Sequence, residues 1–448
     1  MTDTFVVVGG DAAGMSAASK AKREDPEREV IVFERGEWVS YAACGMPYYV
    51  EGAVDDLDDL VAVTPEEFRE ERDVDLRTGA EVVDIDLERE TVTVETDDET
   101  DEQPYDDLLV ATGASAIEPP FEGLGLEGVF TIHDMDEADA IEDYVTERDL
   151  ETAAVVGGGY VGIEMAEALA ARGIDVHLYE MLPHVLQPFG EAVAEVVEEH
   201  LREQGVDLHL ETAVSGFVGD ERIDAVELED ETVSADVAIV GVGVRPNVEL
   251  ADESGIELGP TGAIATDDYG RTNDENVYAA GDCAEARHVV TGEPDHVPLA
   301  LTANRAGRAI GQTVTGDPTP VGDTAGTAIV KAFDLGAART GILDEARARE
   351  AGFDPVSVTI SASTRAHYYP GGEELTVTLL ADRATGTLLG GSVVGREGAK
   401  RIDTVAMALS GGMTVTDLQN ADLAYAPPFS PVWDPVLTAA KVLGGTLE

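Results

Sequence analysis

Cysteine is scarce in this chain: Cys44 and Cys283 are the only two in 448 residues. Two cysteines so far apart do not make a disulfide framework, which excludes a small disulfide-rich scaffold. Cys44 also has no neighbouring thiol with which to close an internal disulfide. Redox chemistry at Cys44 would therefore take place at a single sulfur, and its disulfide partner would have to come from solution.

Basic charge is the second shortage. The chain has 28 lysines and arginines against 91 aspartates and glutamates, a net charge of −63, and only five of the basic residues are lysines. Nucleic-acid binding is not expected, because phosphates need basic patches. At molar salt the screening length falls to about 3 Å, so self-repulsion largely disappears. The composition therefore predicts adaptation to a salt-loaded cytoplasm, as in halophilic archaea.

Long apolar runs are missing as well. No stretch of about 18 apolar residues is present, so a membrane span is not expected. The sequence enters a predicted strand at Phe5–Val8 without a basic or apolar signal segment. We therefore expect a cytoplasmic protein. We predict no metal-binding residues.

Strands and helices alternate along most of the chain, which predicts a doubly wound α/β architecture. The same unit occurs twice, about 150 residues apart. The strand 153–156 leads into Gly157-Gly158-Gly159-Tyr160-Val161-Gly162, then a helix at 163–171 and the strand 175–179.

This second unit matches G-x-G-x-x-G at Gly157, Gly159 and Gly162. Glycines there allow a tight turn and let backbone amides approach a pyrophosphate at the helix N-terminus. Glu180 ends the next strand, where a carboxylate binds a ribose 2′-hydroxyl and repels a 2′-phosphate. The pattern therefore favours NADH over NADPH.

The first unit departs from the pattern. Gly9 and Gly14 match the outer glycines, but Asp11 holds the middle position, and Gly10 supplies part of the lost backbone freedom. The helix after this loop is expected to run to about residue 23. Glu34, at the end of the next strand, again suits a ribose. Two such units, each with a trailing acid, indicate two nucleotide sites.

Two more strands end in small residues that suit a cofactor. The strand 108–111 is followed by Thr112 and Gly113, and the strand 276–280 by Gly281 and Asp282. An aspartate in that position can accept hydrogen bonds from ribityl hydroxyls. After about residue 322 the pattern changes to alternating segments such as 375–380, which indicate an antiparallel sheet without a phosphate fingerprint.

In this order, the segments resemble those of the FAD-dependent pyridine nucleotide-disulfide oxidoreductases over essentially the whole chain. Within that family the chain resembles the single-cysteine branch of coenzyme A-disulfide reductases, NADH oxidases and NADH peroxidases. The resemblance implies two doubly wound Rossmann-type domains plus a C-terminal α+β dimerisation domain. FAD would bind residues 1–114 and 244–322, NAD(P)H would bind 115–243, and 323–448 would form a homodimer interface.

The segment Ser40-x-x-x-Cys44-Gly45-x-Pro47-Tyr48 resembles the coenzyme A-disulfide reductase signature. The resemblance implies a redox-active Cys44 with Ser40 in its motif, and Tyr160 covering the nicotinamide pocket until the nucleotide enters. Cys283 is interpreted as a small buried residue.

The chain departs from the motifs of related enzymes in three places, which helps to choose among the possible functions. The two-cysteine C-x4-C motif of glutathione and lipoamide reductases is absent, and so is their C-terminal His-Glu pair. NADH peroxidases and many NADH oxidases carry a histidine in the first glycine loop, where this chain has Ala12.

Tyr368 and Tyr425 lie in segments that resemble those bringing tyrosines into the coenzyme A-disulfide reductase site from the partner subunit. A phenol there can donate a proton to a leaving thiolate. The alternative is aromatic packing at the dimer interface. Lys20 and Arg23, at the end of the first helix, would meet coenzyme A phosphates or else belong to a solvated face.

The resulting hypothesis is a flavoprotein that passes electrons from NAD(P)H through FAD to Cys44 and reduces a small disulfide, coenzyme A disulfide first. The alternatives are an NADH oxidase that cycles through a Cys44 sulfenic acid and a polysulfide or persulfide reductase. An electron-transfer reductase for a protein partner is a further alternative, although it would not need the motif that contains Cys44.

Overall fold

The structure is a computed structural model that describes residues 3–447. Its first part contains the strands β1 Thr4–Val8, β2 Glu29–Phe33, β3 Asp75–Arg77, β4 Glu81–Asp86, β5 Thr91–Glu95, β6 Thr100–Pro104, β7 Asp107–Val110 and β8 Ala114–Ala116. The helices of this part are α1 Ala12–Glu24, α2 Met46–Glu51 and α3 Pro65–Glu70.

The middle part contains the strands β9 Val129–Phe130, β10 Thr152–Val156, β11 Asp175–Tyr179, β12 Asp207–His209, β13 Val214–Gly219, β14 Ile223–Leu228, β15 Thr232–Ser234, β16 Val237–Val240 and β17 Val244–Pro246. Its helices are α4 Met135–Glu147, α5 Tyr160–Ala171, α6 Glu191–Glu203 and α7 Glu249–Glu253.

The last part contains the strands β18 Val277–Ala279, β19 Ala286–Arg287, β20 Pro294–Asp295, β21 Ala328–Ala332, β22 Leu335–Gly341, β23 Pro355–Ser363, β24 Glu374–Asp382 and β25 Leu388–Gly395. Its helices are α8 Ala300–Thr313, α9 Glu345–Glu350, α10 Ile402–Ser410, α11 Val415–Gln419 and α12 Pro435–Leu447. Short 3₁₀ turns lie at Ala43–Gly45, Leu57–Leu60, Gln187–Phe189 and Ala399–Arg401.

The first nucleotide-binding unit is a parallel sheet in the order β18-β7-β1-β2-β3. The strands β1, β2, β7 and β18 are short and mostly apolar runs, as expected for strands buried on both faces, whereas β3 at the sheet edge is partly exposed. Helices α1 and α8 pack together on one face, where Ala17, Ala303 and Ile310 share a core. The order places the ends of β1, β2, β7 and β18 side by side at one edge, which is where ligands bind in such sheets.

The second unit repeats this plan with a parallel sheet in the order β12-β11-β10-β16-β9. The chain leaves the first unit through β8 and returns through β17, and these two strands pair antiparallel. The crossings fall next to the predicted limits at 114/115 and 243/244. The exact domain limits stay a prediction.

The C-terminal part is an antiparallel sheet in the order β21-β22-β25-β24-β23. Helices α10 and α12 cover one face, with Val405, Val436 and Leu443 in the shared core. The predicted fold class of two doubly wound units and an α+β domain is confirmed. In residues 3–447, every helix is too short or too polar to cross a membrane.

One helix boundary differs from the sequence prediction. Helix α5 begins at Tyr160 instead of residue 163, because Gly159 serves as its N-cap and the loop turns directly into the first helical residue. The last glycine of the fingerprint, Gly162, therefore lies inside the helix. Gly14 has the same position inside α1.

Candidate active site

One cleft of about 1750 Å³ runs between the two nucleotide-binding units and brings most of the predicted residues together. The predicted residues that line it are Gly9, Gly10, Glu34, Cys44, Thr112, Gly113, Gly157, Gly159, Tyr160, Glu180, Gly281 and Asp282. Both glycine loops line this one cleft, which agrees with the two fingerprints.

The glycine loops leave no room for side chains at their outer positions. A Cβ on Gly14 would lie 1.9 Å from the carbonyl oxygen of Gly9, and one on Gly162 would lie 1.8 Å from that of Gly157. Such distances are far below van der Waals contact, so the helix can approach the loop only with glycine there. Both loops therefore have the close-packed form that a pyrophosphate needs at a helix N-terminus.

Each trailing carboxylate folds back onto its own glycine loop. Glu34 accepts hydrogen bonds from the backbone N–H of Gly10 at 2.7 Å and of Gly36 at 2.8 Å. Glu180 accepts equivalent bonds from Gly158 at 2.7 Å and Leu182 at 2.8 Å. These bonds hold both carboxylates at the cleft wall, where the sequence predicted ribose contacts.

Asp11 is the exceptional residue of the first loop. Its Oδ1 is buried and has no hydrogen-bond partner. Burial raises the pKa of Asp11 to about 6, and the charges of Glu34 and Asp282 add to the rise, although backbone hydrogen bonds oppose it. Since buried polar atoms are normally paired, this oxygen is suited to a hydroxyl or amide of a bound dinucleotide.

The residues around the first loop therefore fit FAD. They offer a close-packed glycine turn, an unpaired acceptor at Asp11, and Asp282 at the end of β18. Thr112 is fixed by donating from Oγ1 to the carbonyl oxygen of Asn247 at 2.7 Å. Burial raises the pKa of Asp282, whereas His133 and His296 lower it.

The segment that carries Cys44 is tied to the same loop. Ser40 has a φ of 50°, and its N–H donates to the carbonyl oxygen of Gly10 at 3.0 Å. A non-glycine residue in the left-handed region stores strain, which proteins keep mainly at functional sites. The 3₁₀ turn Ala43–Gly45 then leads into α2, which has Pro47 in its first turn.

Cys44 is solvent-exposed, whereas Cys283 is fully buried. The protein around Cys44 nevertheless removes much of its water, and this loss is the largest cause of a raised thiol pKa. The negative charges of Glu164 and Asp282 raise the Cys44 pKa further. The site thus favours the thiol and needs a hydrogen-bond donor to stabilise the thiolate.

Glu164 is a site residue that the sequence reasoning missed. Burial raises its pKa to about 7, and Tyr48 donates from its hydroxyl to Glu164 Oε1 at 3.3 Å. Glu164 lies four residues after Tyr160 on α5, so it shares a helix face with that tyrosine. This i, i+4 spacing is the signal that could have identified it.

Tyr160 is held at the cleft from two sides. Its ring lies 5.3 Å from that of Phe189, and its hydroxyl accepts from Arg339 Nε at 3.3 Å. Arg339 belongs to β22, so the C-terminal part closes this end of the cleft. The sequence could not place Arg339 there. The covering role of Tyr160 stays a prediction.

Tyr368 and Tyr425 meet each other, with 2.8 Å between their hydroxyl oxygens. Their exposed fractions are 63% and 44%, and neither lines the cleft of its own chain. Phe429 and Trp433, also in the C-terminal part, are exposed at 77% and 54%. Their exposure is compatible with the dimer interface predicted for this part of the chain. Contribution of the tyrosines to a partner's site remains a prediction.

Lys20 and Arg23 lie on α1, outside the cleft. Lys20 is buried and forms an ion pair with Glu24, so its ammonium group is already engaged. This geometry does not favour the predicted phosphate contact of Lys20. Arg23 is exposed, and its predicted contact stays untested.

Known proteins resemble the chain along its full length. The family described as pyridine nucleotide-disulphide oxidoreductase matches residues 3–307, and the dimerisation domain of the same family matches 327–435. The NAD(P)H coenzyme A polysulfide/persulfide reductase of Pyrococcus horikoshii is 43% identical over 444 residues, 99% of either chain.

The coenzyme A disulfide reductase of Staphylococcus haemolyticus is 32% identical, covering 95% of this chain and 96% of that protein. Among solved structures, the NAD-dependent persulfide reductase from A. fulgidus superposes with a TM-score of 0.95 at 39% identity, covering 99% of this chain and 83% of that one.

The matches confirm the predicted cofactors, FAD and NAD(P)H, and the predicted oxidoreductase class. Together with the two glycine loops on one cleft and the exposed Cys44 beside them, they show that the chain belongs to the pyridine nucleotide-disulphide oxidoreductase family.

Proposed function

We propose that this enzyme reduces the sulfur–sulfur bond of a low-molecular-weight thiol, using NADH and the single cysteine Cys44. The observation that carries the proposal is the contrast between the two cysteines. Cys44 is exposed and lines the cleft, whereas Cys283 is buried and is not among the residues that line it. The second sulfur must therefore come from the substrate.

FAD, when bound, supplies the transfer of two electrons between NADH and sulfur. The chain's own residues supply the rest. The first glycine loop, Asp11 and Asp282 would hold the flavin nucleotide, and the second loop would hold the nicotinamide nucleotide. Tyr160 would cover the nicotinamide pocket until NADH enters.

The sulfur chemistry takes place on Cys44. Its thiolate attacks a substrate disulfide R–S–S–R′, forms the mixed disulfide with RS and releases R′S⁻, which takes up a proton. Two electrons then break the mixed disulfide, release RSH and return the thiolate. The balance is NADH + H⁺ + RSSR′ → NAD⁺ + RSH + R′SH.

Proton supply is assigned to two places. Glu164, with a pKa of about 7, can hold a proton beside Cys44 at neutral pH. Tyr425 and Tyr368 would enter from the second subunit of a homodimer and donate to a leaving thiolate. This assignment rests on their mutual 2.8 Å contact and their exposure on the C-terminal part.

The thiol is proposed to be coenzyme A, as its disulfide or its persulfide. The disulfide is favoured by the Ser40-to-Cys44 motif and by the paired tyrosines. The persulfide or polysulfide is the second candidate, because the P. horikoshii relative of that name is more similar than the disulfide reductase. Oxygen reduction is disfavoured, since Ala12 replaces the active-site histidine. An electron-transfer role with a protein partner does not need the Cys44 motif.

NADH is proposed over NADPH. Glu180 is anchored at the end of β11 by two backbone N–H groups, so its charge stays where a 2′-phosphate would lie.

We further infer a salt-loaded cytoplasm as the working solvent from the net charge of −63. The unfolding temperature should then rise steadily between dilute buffer and molar KCl. A protein that is equally stable in dilute buffer would contradict that inference.

The test of the function is Cys44→Ser, with Cys283→Ser as the matched control. Cys44→Ser should bind flavin normally, and NADH should still bleach the flavin absorbance, while steady-state disulfide reduction is abolished. Cys283→Ser should keep turnover, because its sulfur is buried in an apolar core and donates to the backbone carbonyls of Val110 and Ala280.

Full turnover of Cys44→Ser would contradict the proposal. The wild-type enzyme should be assayed with coenzyme A disulfide, coenzyme A persulfide and oxygen alone as acceptors. NADH consumption that equals oxygen uptake, with no sulfur substrate present, would make the protein an oxidase instead.

A further inference from the structure

A group of metal-ligating side chains lies outside the cleft, on the second nucleotide-binding unit. The neighbouring strands β11 and β12 each begin with the pattern Asp-x-His, at 175–177 and 207–209. They pair in parallel, with His177 opposite Asp207. Side chains two residues apart share a face of a sheet, so His177, Asp207 and His209 come together on one face.

Three single atoms of these residues form a compact triangle. His177 Nδ1 lies 3.1 Å from His209 Nε2 and 3.4 Å from Asp207 Oδ2, and His209 Nε2 lies 3.7 Å from the same oxygen. The point in their plane that is equidistant from the three atoms lies about 2.0 Å from each, and an ion displaced slightly out of that plane, as a tetrahedral site requires, stays within zinc bond lengths. Zinc bonds to histidine nitrogen and carboxylate oxygen are about 2.0–2.2 Å long.

The donor set indicates the class of ion. Two imidazole nitrogens and one carboxylate oxygen suit borderline ions such as Zn²⁺, Co²⁺ and Ni²⁺, whereas Mg²⁺ and Ca²⁺ take oxygen ligands. The three side chains are exposed at 24%, 64% and 30% in chain order, so an ion can reach them from solvent.

We propose that His177, Asp207 and His209 bind one divalent transition-metal ion of the Zn²⁺ class, with water completing the tetrahedron. The ion would join β11 to β12 close to the predicted ribose site. Glu180 donates its backbone N–H to the carbonyl oxygen of His209 at 2.9 Å, and the Tyr179 ring stacks on His209 at 4.7 Å. The bound ion therefore stabilises the strand ends that carry Glu180.

The experiment uses tag-free holoenzyme in the Cys44→Ser background, because an exposed thiol would itself bind zinc. Chelator-treated protein is titrated with Zn²⁺ by calorimetry, and with Co²⁺ by its visible absorption. One ion per chain should bind, tetrahedral Co²⁺ bands should appear, and the unfolding temperature should rise with the ion present.

Two variants test the ligands. His209→Gln and Asp207→Asn should each weaken Zn²⁺ binding by at least about tenfold, since even outer-shell changes cost 10–100-fold. Asp207 is largely exposed, so its variant is expected to fold. The matched control is His184→Gln in the same unit, where one imidazole faces the carboxylates of Glu198 and Glu191 without a second histidine. It should bind Zn²⁺ as the parent does.

Absence of stoichiometric Zn²⁺ or Co²⁺ binding would overturn the proposal, and the three residues would then be a hydrogen-bonded cluster only. Binding that survives both ligand variants, or that His184→Gln weakens equally, would also overturn it. Neither result touches the proposed role of Cys44, because the titration needs no turnover.

Discussion

The two glycine loops of this molecule have the same backbone arrangement, but only the first has a carboxylate, Asp11, at the N-cap of its helix. In each loop a strand leads into the glycines and the last glycine packs inside the helix. The carboxylate that follows the next strand, Glu34 or Glu180, accepts a hydrogen bond from a backbone N–H of the loop. The N-cap position, however, holds Asp11 in the first loop and Gly159 in the second. Packing therefore requires glycine at the outer positions, whereas the N-cap position accepts either residue and sets the charge of the loop.

The largest expected effect comes from the position that the loops share. Gly14→Ala and Gly162→Ala each place a Cβ within 2 Å of a backbone carbonyl, at a cost of about 1–3 kcal/mol or more in unfolding free energy. Gly14→Ala should lose most bound flavin. Gly162→Ala should keep flavin but lose its reduction by NADH. Flavin content and anaerobic NADH titration measure both, and equal flavin loss in the two variants would contradict the assignment of the loops.

The second-largest expected effect comes from the helix N-cap, where the first loop has Asp11 and the second has Gly159. Burial raises the pKa of Asp11 from 3.8 to about 6, so the folded state binds this proton more tightly than the unfolded state does. Asp11 therefore destabilises the fold progressively as the pH rises from about 4 through 6. At pH 8, Asp11→Asn should gain about 3 kcal/mol in unfolding free energy, from two pKa units at 1.36 kcal/mol each.

Chemical denaturation of the Asp11→Asn variant at pH 8 and at pH 5 measures this gain, which should shrink at the lower pH. Gly159→Asn is the matched control in the other loop, where a Cβ meets nothing within 4 Å. It removes no buried charge, so its effect on stability should not depend on pH. A gain for Asp11→Asn that is the same at both pH values would show that Asp11 is not a buried titrating group.

The smallest expected effect distinguishes the roles of the two loop carboxylates, Glu180 and Glu34. Glu180→Gln should raise the KM for NADH about tenfold, because a charge-assisted hydrogen bond is worth about 1.5–3 kcal/mol. It should also narrow the preference for NADH over NADPH, since the repulsion of a 2′-phosphate is removed. Glu34→Gln should weaken flavin retention and leave the nucleotide preference unchanged. The reverse pattern would exchange the roles of the two loops.

Much of the fold could be predicted from local sequence patterns. The alternation of strands and helices, the two fingerprints and the change after residue 322 predicted the architecture, because each depends on short-range periodicity. Cys44 was identified by its scarcity and its neighbours. Its exposure and its place on the cleft agree with that hypothesis.

Contacts between distant segments could not be predicted. Arg339 reaches Tyr160 across 179 residues, and the raised pKa of Glu164 depends on burial that only the assembled fold creates. For the same reason the sequence does not reveal that Lys20 is buried and paired with Glu24, and its predicted phosphate contact stays a prediction. The triangle of His177, Asp207 and His209 appears only once β11 and β12 are paired in register.

The most direct test of the central claim is the mass of the Cys44 peptide from oxidised enzyme, digested without reductant. The account predicts a coenzyme A adduct on that peptide, removed by reductant or by NADH, with Cys283 unmodified. An oxygen adduct, or an unmodified Cys44 thiol in fully oxidised active enzyme, would contradict the claim that this sulfur works through a mixed disulfide.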